Sequence, residues 1–128
     1  MNRLIAFALA SALLTSAAAA QTVSDDVSKQ LWCGTAMQVA FANPPEGLSE
    51  EQLAEAAGYI AAGTVMIDAA TQAHLDAGFT QDAVDKLKAD LVAEVTPAVT
   101  GQADNAKYTF EECVALIPPA ADTSSSAQ

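Results

Sequence analysis

Cations, aromatic rings and chemistry-bearing side chains are all scarce in this chain. Of 128 residues only five are Lys or Arg, against 16 Asp or Glu, and the formal net charge is −11. A surface this acidic repels phosphate backbones and anionic membranes, which excludes nucleic acid as a partner. Histidine occurs once, as His74, and cysteine twice, as Cys33 and Cys113. A single histidine cannot assemble a zinc site without other ligands, so no metal is expected. Without a Cys-x-x-Cys pair there is no thioredoxin-like redox motif, and without Cys-x-x-Cys-His no covalent haem. Gly-x-Ser-x-Gly, His-Glu-x-x-His and the phosphate-binding loop are also missing. The expectation is a protein that is not an enzyme.

Non-covalent haem would need His74 and a methionine as axial ligands. Met66 lies eight residues before His74 on the same predicted helix. Met37 falls roughly 28 Å away along a bundle axis, at 1.5 Å per residue. Both methionines are read as core fillers, and no cofactor is expected.

The beginning of the chain has a different character. Arg3 precedes an almost unbroken apolar run, Leu4 to Leu14, and then Ala18-Ala19-Ala20 before Gln21. One positive charge, a short apolar stretch and small residues at the junction make a secretory signal pattern. The run is shorter than the ~20 residues a spanning helix needs. Residues 1–20 are therefore predicted to be a cleaved signal peptide, and the protein to be periplasmic or secreted, with no membrane span after cleavage. Its loss leaves four lysines against 16 acids, a formal charge of −12. Residues 21–119 form one domain by length, and the polar stretch 120–128 (AADTSSSAQ) is predicted to be a disordered tail.

Abundant alanine and few β-branched or aromatic residues favour helices. Helix one is predicted over about Asp25–Ala42, with Ser24 as N-cap and two acids in its first turn. Its apolar residues cover nearly the whole circumference, which marks a central helix. Asn43-Pro44-Pro45-Glu46-Gly47 makes the following turn. Helix two is predicted over about residues 50–77. Ser49 and Gln52 form a capping box, and Leu48 faces Leu53 across it. Its apolar seam runs Leu53, Ala56, Ile60, Gly63, Ile67, Ala70, His74, and Gly63 is a point where it could break. Helix three begins after Thr80, carries Val84, Leu87, Leu91 and Val95, and should end or kink at Pro97. A short fourth helix follows a second capping box, Thr109-x-x-Glu112, and stops before Pro118-Pro119. The fold class expected is all-α: a small up-down four-helix bundle with one disulfide and a short fourth helix.

An even cysteine count in an exported chain reads as a disulfide. The helix order agrees. With helices running alternately up and down, Cys33 on the first and Cys113 on the last fall at the same height.

Helix two is predicted to outrun helix one, because residue 25 falls level with about residue 67 when the first turn is centred near residue 46. Apolar surface around Ile67, Ala70, His74, Phe79 and Val84 would then lack partners, and such surface marks a dimer interface or a ligand pocket. The alternative is that residues 21–24 fold over this end. The leading functional expectation is a non-enzymatic binding or interaction protein of the cell envelope, whose partner is an unknown protein or a second copy in a homodimer. A carrier of a small apolar ligand is the first alternative. A periplasmic acid-stress chaperone, suggested by charge and compartment, is the second.

Overall fold

The computed structural model describes residues 21–119. The expected signal peptide, 1–20, and the expected tail, 120–128, lie outside the described residues. The structure is all-helical: α1 Asp25–Phe41, α2 Glu50–Asp76, α3 Gln81–Val99 and α4 Phe110–Val114. Three helices are long, and the fourth has five residues.

Every helix starts where its local chemistry dictates. The side chains of Ser24, Ser49, Thr80 and Thr109 each accept a hydrogen bond from a backbone N–H in the first turn. Such caps stabilise helix starts by about 1 kcal/mol each. Both predicted capping boxes close, since the side chains of Gln52 and Glu112 accept from the N-cap N–H groups of Ser49 and Thr109. The Glu112 carboxyl is held below the usual carboxylate range, first by the Thr109 N–H and then by Lys29.

Helix continuity, open in the sequence at two positions, is decided by the structure. α2 runs unbroken through Gly63 for 27 residues. Pro97 lies inside α3, and the helix carries on to Val99. The missing N–H of Pro97 deprives only the carbonyl of Ala93, an exposed residue that water can serve.

α1 is the central helix. It packs extensively on α2, substantially on α3 and locally on α4, while α2 and α3 scarcely touch. The core gathers Trp32, Cys33, Ala36 and Met37 of α1 with Met66, Val95 and Cys113. α1 crosses α2 antiparallel at Gly34 and Gly63. A Cβ built on Gly34 would lie 2.8 Å from the carbonyl oxygen of Gly63, and one built on Gly63 would lie 2.7 Å from that of Gly34. Only glycine at both positions permits that approach. Gln38 Nε2 donates to Thr64 Oγ1 at 2.9 Å beside the crossing.

The expected disulfide is present. Cys33 and Cys113 are bonded, with Cα atoms 5.1 Å apart, inside the range that bridging requires. It fastens α4 to α1 at the predicted height. Lys29 Nζ reaches Glu112 Oε1 at 3.3 Å alongside it. Among the described residues, α2 is the one helix long and apolar enough to cross a membrane by length and composition. Its inner face packs on α1.

Candidate functional site

Ala70 and Val84 are fully buried, His74 is 2% exposed, and Ile67 and Phe79 are partly buried. The helix-length mismatch expected around them is largely absent. In the antiparallel pair Asp25, nine residues before Gly34, lies level with Gln72, nine after Gly63. The first turn is therefore centred later than residue 46, and α1 covers α2 almost to its end.

Phe79 closes the remainder as part of the helix terminus. Gly78, at φ +92°, lets its own N–H reach Leu75 O at 3.0 Å and the Phe79 N–H reach His74 O at 3.1 Å. That is a Schellman ending, and its usual apolar contact is here the Phe79 ring edge-on to His74, with centroids 5.2 Å apart. Gln21 Nε2 donates to Gly78 O, so the segment before α1 folds over this end. His74 Nδ1 lies 2.7 Å from Ala70 O, and since a carbonyl oxygen only accepts, this nitrogen carries the proton of the bond. A cleft of about 230 Å³ lies beside it, lined by residues that include Trp32, Glu94 and Lys107. Glu94 already accepts from the Trp32 indole N–H at 3.1 Å. No group of three metal-ligating side chains occurs among the described residues.

The larger open surface lies at the opposite end of α1. Phe41, the last residue of α1, stacks on Tyr59 of α2 at 4.8 Å with planes 22° apart. Phe110, the first residue of α4, meets Tyr59 edge-on at 5.3 Å and Phe41 at 6.2 Å. Three elements thus each contribute one ring. The reason is topological: the disulfide holds α4 against α1 so that its first residue projects toward the α1 terminus, and the Pro44-Pro45 turn brings α2 back beside it. Phe110 remains 52% exposed. A cleft of about 380 Å³ opens against these rings, walled otherwise by Pro44, Pro45 and Leu48 and by the α2 side chains Gln52, Glu55 and Ala56. A second cleft of about 280 Å³ lies on the other side of Phe41 and Phe110, where Trp32 and Tyr108 join the lining.

The first cleft has one charged residue, Glu55. The Tyr59 hydroxyl donates to Glu55 Oε1 at 3.1 Å, and the phenol is held above its ordinary pKa mainly by that bond, with desolvation and the carboxylate charge adding to it. The hydroxyl therefore keeps its proton and stays the donor across neutral pH. Tyr59 engages only one of the two Glu55 carboxylate oxygens.

Sequence reasoning passed over Phe41, Tyr59 and Phe110, because it followed the apolar seam of α2 rather than the helix ends. A usable signal existed. Once Cys33 is joined to Cys113 in antiparallel helices, Phe110, three residues before Cys113, must lie toward the Phe41 end of α1. The outer face of α2 is a further apolar surface, with Ala54, Gly58, Ala61 and Val65 exposed between Glu51 and Asp68. Comparison with protein-family models, with curated proteins and with solved structures finds no match to this chain.

Proposed function

We propose that this is an exported, non-enzymatic binding protein that captures an apolar ligand group in the aromatic cleft at the Phe41 end of α1. The observation that carries the reading is the meeting of Phe41, Tyr59 and Phe110 from three elements around an open cleft of about 380 Å³. That volume lies in the range of small-molecule sites. Phe110, which is half exposed, gains most from being covered, since an aromatic side chain carries a large apolar area. The polar groups present favour holding over reacting, because Glu55 and Tyr59 bond to each other. Export belongs to the same proposal. It rests on the leader pattern before Gln21, and the Cys33–Cys113 bond suits an oxidising compartment. The up-down four-helix bundle is likewise the reading we favour for the helix order, with α4 as the short fourth member.

The test uses N-phenyl-1-naphthylamine, a neutral probe that fluoresces in apolar surroundings. Saturable enhancement is expected with the native protein and strong loss of it with Phe110→Ser. Far-UV circular dichroism and thermal melting confirm that the variant keeps its fold. An equal enhancement by the two proteins, or none with either, would overturn the proposed cleft.

A further inference from the structure

We infer that the ligand of the aromatic cleft is an organic cation: a small molecule with an apolar body and an ammonium or related positive head. The inference rests on the cleft reading above and adds the sign of the charge.

The placement of the protein's own cations supports it. Among the described residues the lysines are Lys29, Lys86, Lys88 and Lys107. Lys86 and Lys88 lie beside Asp90 and Asp85 on α3. Lys29 pairs with Glu112 and stands 5.1 Å from the centre of the Tyr108 ring, and Lys107 stands 5.6 Å from the same ring. The aromatic face at Tyr108 therefore already has cations of the chain itself. The Phe41–Tyr59–Phe110 cluster has none, since no lysine lines its cleft.

Instead the one charged residue in the cleft lining is an acid, and the chain next to the lining residues is rich in acids. Glu55 is in the lining, with its second oxygen not engaged by Tyr59. Glu46 follows the Pro44-Pro45 wall, Glu50 and Glu51 precede Gln52, and Glu111 follows Phe110. Ring faces carry the negative lobe of the aromatic quadrupole and attract a cation within about 6 Å. A carboxylate beside them adds a charge of the same sense, and the −11 net charge of the chain concentrates cations near the surface. An anionic ligand would meet repulsion from Glu55 and from the net negative charge of the chain. A neutral apolar ligand would gain the rings but leave Glu55 without a role in binding.

The experiment compares three probes of one shape: benzyltrimethylammonium, its neutral carbon isostere neopentylbenzene, and the anion phenylmethanesulfonate. Binding is read as displacement of N-phenyl-1-naphthylamine and as shifts of the Phe110 and Tyr59 ring signals in NMR spectra. The cation is expected to bind about tenfold more tightly than the neutral isostere, an advantage between those of an exposed and a desolvated cation–π contact. The anion is expected not to bind. Glu55→Gln should erase part of the cation's advantage and leave the neutral probe unchanged, and added salt should weaken the cation alone. Neutral and cationic probes binding equally would overturn the charge assignment while the cleft itself stands. Failure of the naphthylamine to bind at all would instead remove the cleft reading beneath it.

Discussion

The closest helix contact in the molecule offers a controlled test, because α2 contains two glycines in opposite surroundings. Gly58 has nothing within 4 Å of the place where a Cβ would go. At Gly63 the same carbon would stand 2.7 Å from the Gly34 carbonyl oxygen and 3.2 Å from Met37 Cβ. Replacing a mid-helix glycine by alanine stabilises a helix by about 1 kcal/mol through backbone entropy and desolvation. Gly58→Ala should show that gain and little else. Gly63→Ala receives the same gain but must push two backbones apart, and overpacking costs up to about 3 kcal/mol. The upper end applies because the nearest obstacle is a carbonyl on a packed helix rather than the flexible tip of a side chain. The net for Gly63→Ala is then a loss of about 2 kcal/mol, and the two variants should differ by about 3 kcal/mol. At ~4–8 °C per kcal/mol for a domain of this size, Gly58→Ala melts several degrees higher than the native protein and Gly63→Ala distinctly lower. Urea unfolding followed by far-UV circular dichroism measures both, with the disulfide intact in all three proteins. Equal effects of the two substitutions would refute the Gly34–Gly63 crossing.

Replacing both Cys33 and Cys113 by alanine opens a loop whose ends are 80 residues apart and should lower unfolding stability by about 4–5 kcal/mol in the chain-entropy model; an unchanged urea midpoint would contradict this. Ala70→Glu puts a charge where the native side chain is fully buried and should cost about 3–5 kcal/mol, as an uncompensated buried charge does; analytical ultracentrifugation showing lost association at unchanged thermal stability would instead make this an exposed interface. Because the Glu112 carboxyl is depressed by Thr109 and Lys29, its contribution to stability is fully present above the ordinary carboxylate pKa and is lost as pH falls through the lower folded value. Glu112→Gln should therefore flatten part of the acid limb of a stability–pH curve, and an unaltered acid limb would show that the cap and ion pair do not contribute.

Much of this protein is determined locally, and that part was legible in the sequence. Ser24, Ser49, Thr80 and Thr109 cap their helices because a hydroxyl one residue before a helix has unpaired N–H groups within reach. Gly47 and Gly78 end segments because they tolerate positive φ. The Cys33–Cys113 pairing followed from helix order and approximate length, with the compartment supplying a second reason. Tertiary packing decided the rest. The register of α1 on α2 depends on the approach of Gly34 to Gly63, and that differs from a register counted through the turn. The shift carried α1 over Ala70 and His74 and turned an expected open surface into interior. Periodicity alone also placed Leu53 on the buried seam, whereas it is 43% exposed, because in the Gly34–Gly63 register it falls level with Pro44, beyond the end of α1 at Phe41. The cleft is the clearest case. Phe41, Tyr59 and Phe110 are separated by 18 and 51 residues along the chain, and no local rule relates them. They meet because a disulfide, a proline turn and a glycine crossing together set where the end of α1 and the start of α4 fall against α2.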